Sequence, residues 1–246
     1  MHTSRIAVSV GTALLLAASA GVANASTIEA SLFSPEAGSG PVVIDLTGIT
    51  APSQIPFSGI GYTVSFVGVA SDQGVVKGAL GGRYAIPVAG VSGGQPEYLT
   101  GAFGSAPTTI AGDSGNYFST GTGKIVIGFT TPQTWLALLW GSIDTGNSLT
   151  FDDTANTVVT GLEVQTATTG FVSNGYQGPG GSAYVLIKTD TPFTSVTATS
   201  DVVSFEFGGV AGSNSGFTTV PEPGSFWCLF GIGAGIVAMR RRINFR

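Results

Sequence analysis

The stretch KIVIGFTTPQTWLALLW, Lys124 to Trp140, decides the fold. In its first half Ile125, Ile127 and Phe129 share one face, and Val126 and Gly128 take the other. A period of two is the spacing of a strand, here with little exposure on either side. Trp135-Leu136-Ala137-Leu138-Leu139-Trp140 is apolar throughout and too short for a free-standing helix, so it reads as a central strand. Thr131-Pro132-Gln133 lies between, and the stretch predicts two strands, Lys124 to Thr130 and Thr134 to Trp140.

Similar short runs recur on both sides. Strands are expected at 41–46, 61–69, 74–80, 97–103, 148–152, 157–164, 183–188, 193–199 and 202–207. In the last of these Val203, Phe205 and Phe207 share one face and leave Ser204 and Glu206 on the other. Gly81-Gly82, Gly93-Gly94, Asp144-Thr145-Gly146-Asn147 and Gly178-Pro179-Gly180-Gly181 supply the turns. With 38 glycines, abundant Thr and Val and no sustained 3.6-residue period, the chain is poorly suited to helices. The expected fold is all-β: a single antiparallel β-sandwich, jelly-roll-like, over residues 26–209.

The two ends have a different character. Met1 to Arg5 carry a positive charge, Ile6 to Ala18 are almost wholly apolar, and Ala23-Asn24-Ala25 follows in the A-x-A form that signal peptidase reads. Residues 1–25 therefore read as a signal peptide, with Ser26 as the new N-terminus. Residues 210–219 are small and polar and are expected to form a flexible linker. Residues 220–246 form a tail: the motif Val220-Pro221-Glu222-Pro223, an apolar stretch at 224–239, and a basic end at 240–246 opening with Arg240-Arg241-Arg242. Sixteen helical residues reach about 24 Å, short of the ~30 Å hydrocarbon core, so the stretch makes a poor permanent anchor. The arginines belong on the cytoplasmic side of the inner membrane.

Setting the ends aside exposes a strongly acidic middle. Between Ser26 and Thr219 the basic residues are Lys77, Arg83, Lys124 and Lys188, against thirteen acids, a net charge of −9. Such a surface repels phosphate backbones, and nucleic acid is not expected as a partner. The sole histidine, His2, falls in the signal peptide, and the sole cysteine, Cys228, in the tail. Gly112-Asp113-Ser114-Gly115 and Gly90-Val91-Ser92-Gly93-Gly94 imitate serine-hydrolase motifs, but the middle has no imidazole to serve as their base. No catalytic residues are assigned, and no enzyme is expected. Zinc lacks its usual ligands. No cofactor is assigned; a structural calcium ion would draw on Asp144, Asp152 and Asp153. Tyr117 and Tyr176, in Gly/Asn-rich segments, are the candidate exposed contacts for a ligand.

The tail's three-part order resembles the PEP-CTERM tail of Gram-negative bacteria. That resemblance implies processing by an exosortase, a membrane-embedded cysteine transpeptidase-like enzyme acting near Pro221-Glu222-Pro223. It also implies transient residence in the inner membrane, then release to the cell surface or beyond. A second block, Trp140-Gly141-Ser142-Ile143-Asp144 with Asn147-Ser148-Leu149-Thr150-Phe151, is similar to one in a group of exosortase-dependent surface proteins. Ser204-Phe205-Glu206-Phe207 resembles the last strand of that group, with Gly208-Gly209 where Asp-Asn is frequent and Gly146 where an aromatic residue is common. The function implied is that of a structural or adhesive surface or extracellular-matrix protein in an exopolysaccharide or biofilm setting. The alternatives are a calcium-assisted carbohydrate-binding module and, from a carboxylate pair, a glycoside hydrolase.

Overall fold

The computed structural model describes residues 26–31, 41–68, 70–92, 95–98, 115–168, 170–172, 174–178 and 180–216. The expected cleavage-site residues Ala23 and Ala25 lie outside these, as does the whole expected tail, 220–246, with Val220 and Arg240 to Arg242. The strands are β1 (Thr27–Ser31), β2 (Val42–Val43), β3 (Phe57–Gly59), β4 (Tyr62–Val67), β5 (Gly74–Val76), β6 (Val88–Ser92) and β7 (Gln95–Tyr98). They continue with β8 (Tyr117–Ser119), β9 (Lys124–Trp140), β10 (Asn147–Phe151), β11 (Val158–Thr160), β12 (Ala183–Ser200) and β13 (Glu206–Ser213). The helix α1 (Gly161–Ala167) follows β11 directly.

Lys124–Trp140 is one strand of 17 residues, not two. It pairs along its length with the 18-residue β12, which likewise merges two expected strands. Pro132 is tolerated because the ladder is interrupted there, with register shifts between Lys188 and Phe193 and between Phe193 and Ser195. Gln133 is buried at this bend and donates to Thr131 O at 2.6 Å and Thr131 Oγ1 at 3.0 Å, so the irregularity satisfies its own amide. The bend also switches parity. Ile125, Ile127 and Phe129 face the core before it, whereas Leu136, Leu138 and Trp140 do so after it.

The bent ribbon supports two runs of strands, all antiparallel. One runs β1–β12–β9–β13, with β2 and β8 on the far side of β13 and β5 beyond β8. The other runs β11–β10–β12–β9–β4–β3. Both feed one hydrophobic core, in which Ile127, Phe129 and Val196 from one run meet Leu138, Trp140, Val185 and Phe207 from the other. The all-β antiparallel expectation holds, with a single hydrogen-bonded sheet carrying both runs. A smaller cluster of Ala137, Leu139, Tyr184, Leu186 and Ala211 occupies the opposite face of β9, β12 and β13.

Three expectations are corrected. Val210 to Ser213, read as the start of a linker, are the buried second half of β13, paired with β9 and β2. Their small side chains suit a tightly packed strand as well as a tether. Residues 161–164, read as strand, begin α1, which Thr160 caps through a reciprocal pair with Glu163. Val202 and Val203 lie outside β13 and are about half exposed (50% and 51%).

Candidate functional site

The blocks Trp140–Phe151 and Ser204–Phe207 come together at one end of the sheet. Trp140 closes β9 and pairs with Phe207 near the start of β13. Its ring packs on Phe205 at 4.4 Å between centroids, and Phe205, Phe207 and Phe118 continue the aromatic row at 4.9 and 5.0 Å. Just past these rings the chain turns. Gly141 donates its N–H to Glu206 O at 2.8 Å, with Pro87 so near that a Cβ on Gly141 would meet it at 2.9 Å. Ser142 follows in the left-handed region (φ 44°), a strained conformation for a non-glycine residue.

These turns frame a cleft of about 180 Å³ lined by Arg83, Ser142, Asp144, Gln177, Ser204 and Glu206, with Val202 and Val203 also on its wall. Glu206 is the unusual member. It is only 2% exposed, and its Oε1 accepts the Ala85 N–H at 3.1 Å. Ser142 and Ser204 flank it and favour its ionised form, yet Oε2 has no hydrogen bond among the described residues. Burial outweighs these contacts and pushes the Glu206 carboxyl up from an ordinary 4.5 to about 7. Trp140 Nε1 and Asn147 Oδ1, in the same block, are also buried without a hydrogen-bond partner among the described residues.

Alternation placed Ser204 and Glu206 on the face opposite Phe205 without showing what covers that face. The Ala85 and Ser142 loops, distant in sequence, do so. Asp144 is held by the same architecture. Its Oδ1 accepts the Gly146 N–H at 2.8 Å, and burial pushes its carboxyl up against the pull of the Gly146 and Asn147 N–H groups. The first residue of α1, Gly161, lies so close behind it that a Cβ would fall 1.7 Å from Asp144 O.

The raised Glu206 pKa sets a direction for stability. Below about 4.5 the carboxyl is protonated folded and unfolded alike. Between 4.5 and 7 the folded state holds the extra proton, so stability falls as pH rises through that window and levels off above it. The loss amounts to about 3 kcal/mol. Thermal melts from pH 4 to 8 should show this fall in the parent protein relative to Glu206→Gln; a constant difference between the two would contradict it. Tyr117, on whose hydroxyl the Glu206 charge acts, and the cleft residues Asp144 and Arg83 are present in both proteins, so the comparison cancels their own titration.

The other candidate residues fall elsewhere. Tyr117 is in β8, 3% exposed, and its hydroxyl donates to Gly78 O; burial, with the charges of Glu206 and Tyr84, pushes that hydroxyl far up. It is not an exposed contact, because β8 is sandwiched between β5 and β13. Tyr176 is 40% exposed; its neighbours Gly175 and Gln177 line the cleft while its ring lies against Gly178. Asp152 and Asp153 follow the end of β10 opposite Asp144.

Partial burial works to raise the Asp152 carboxyl. Hydrogen bonds from the Thr194 hydroxyl (2.7 Å) and the Ser195 and Thr194 N–H groups (2.8 and 2.7 Å) outweigh it and hold Asp152 below the usual range. Asp153 accepts from Thr157 N–H at 2.7 Å and from its hydroxyl at 2.6 Å. All three aspartates thus act within turns, and among the described residues no three His, Cys, Asp or Glu side chains gather as metal ligands.

A larger cavity of about 460 Å³ lies beside residues 44–51, where Asn116, Asp45 and Thr47 brace the loop itself. Asn116 Nδ2 donates to Leu46 O and Ile49 O at 2.8 and 2.6 Å, and Asp45 accepts from Thr47.

One row across the sheet locates the chain's exits. Thr27 pairs with Lys188, Lys188 with Trp135, and Trp135 with Ser213. The first residue of β1 and the last of β13 therefore stand at the same end, while Glu206 begins β13 about 23 Å away at the cleft end.

No curated protein and no solved structure matches the chain. The family described as PEP-CTERM protein-sorting motif matches residues 219–242. Among the described residues no helix is long and apolar enough to cross a membrane. The chain thus carries, within seven residues of Ser213, a terminal PEP-CTERM sorting motif, which supports its being an exported, exosortase-dependent protein.

Proposed function

We propose that the domain is a non-catalytic cell-surface or matrix component, adhesive in an exopolysaccharide or biofilm setting, which the sorting tail delivers. The row Thr27–Lys188–Trp135–Ser213 carries this reading. Two ends on the same side suit a domain that is held at the membrane first by its N-terminal segment and then by its C-terminal tail. Seven residues beyond Ser213 reach at most about 25 Å, so the tethered domain stands close to the membrane and the processing enzyme. The cleft, at the other end of β13, then faces outward. We read the two strand runs over one core as a sandwich, a shape that keeps this end-to-end polarity rigid.

Intact-mass measurement of the chain recovered from outside the cell tests the proposal. The species expected begins at Ser26 and lacks the apolar stretch 224–239. An external species retaining that stretch would count against the sorted-cargo reading.

A further inference from the structure

We infer that the cleft formed by Arg83, Ser142, Asp144, Ser204 and Glu206 binds one neutral sugar residue of a polysaccharide, with its hydroxyls at the carboxylates and a C–H face on Val202 and Val203. Four observations bear on it. The space, about 180 Å³, is enough for one sugar ring. Glu206 is one of the residues lining the cleft, and its buried Oε2 has no hydrogen bond among the described residues, so the carboxyl can still take a donor from the occupant. The wall combines acceptors at Asp144 and Glu206 with a donor at Arg83 and hydroxyls at Ser142 and Ser204, which do both. Beside these polar groups stand two consecutive half-exposed valines.

Charge narrows the class of ligand. An anionic ligand would meet two carboxylates. A divalent cation would meet the Arg83 guanidinium, and Asp144 Oδ1 is already engaged by the Gly146 N–H. A neutral polyol offers many donors without charge, and its C–H surface suits the valines. The inference stands on the cleft alone and survives if the sorting proposal fails, because the cleft lies away from the tail.

The test uses the full-length chain, tail included, purified in detergent, with glucose, galactose, mannose, N-acetylglucosamine and their soluble oligomers as probes. Saturation-transfer NMR and calorimetry should find saturable binding of at least one at millimolar concentration. Glu206→Ala should weaken it about tenfold, since a buried hydrogen bond to the carboxyl is lost. Val203→Asp should do the same from a half-exposed position and decides the matter if Glu206→Ala does not fold. No saturable sugar binding, binding indifferent to Val203→Asp, or tight binding of calcium chloride alone in place of sugar would overturn the inference. Release of reducing ends would uphold the sugar site and overturn the non-catalytic reading.

Discussion

Replacing Trp140 with alanine should destabilise the domain by about 3–5 kcal/mol, among the largest effects available to one substitution. The side chain is fully buried, ends the long strand β9, and packs between the halves of the core against Phe205. Its removal opens a cavity that the Phe205–Phe207–Phe118 row cannot fill without leaving its own contacts. Domains of this size are stable by about 5–15 kcal/mol, so roughly a fifth or more of the total is at stake. The melting temperature should drop by about 6–20 °C. A neighbouring apolar change, Val203→Ala, removes a half-exposed group and should stay within about 0.5 kcal/mol. Thermal melts of both variants check the contrast. A Trp140→Ala loss below about 1 kcal/mol would mean that this end of the core is not packed as described.

The same residue shows why the cleft depends on the core. Trp140 fixes the end of β9, and the next residue, Gly141, ties its N–H to Glu206 O. The strained Ser142 and the buried Glu206 are therefore positioned by contacts that begin in the aromatic row. Gly161, pressed against Asp144 O, gives the other wall its place from α1.

Much of the sheet was legible because alternation is local. Ile125, Ile127 and Phe129 announced their shared face, and Tyr62 to Val67, Ser148 to Phe151 and Phe205 with Phe207 followed the same rule. What alternation cannot report is continuity through a bend. Pro132 marks a break in the sequence, yet its missing N–H costs nothing where the β9–β12 ladder already lapses. Tyr117 was misplaced because β8 has only three residues amid glycine and asparagine, too few to establish a period. The capping pair Thr160 and Glu163 was a readable sign of α1, overshadowed by the β-branched run before it.

For the site, the Trp140–Phe151 block and the Ser204–Phe207 block were each recognisable alone. Their meeting depends on pairing across more than sixty residues, and the burial of Glu206 depends on Ala85, which is 121 residues away in sequence. Neither can be read from spacing. The tail is the opposite case: a linear signal recognised by another protein needs no fold to be read, and residues 219–242 match it.

That tail carries the second large effect, an all-or-none one. Changing Pro221, Glu222 and Pro223 to alanine removes the motif but lies beyond Ser213, the last residue of the sheet, so folding and melting should be unchanged. The apolar stretch 224–239 and Arg240-Arg241-Arg242 remain, and with them the attraction to the inner membrane and its cytoplasmic face. The most direct measurement is therefore the distribution and mass of this triple variant in fractionated cells. The account predicts a folded chain, tail intact, held in the inner-membrane fraction, with almost none outside. A variant processed and exported like the parent would contradict it.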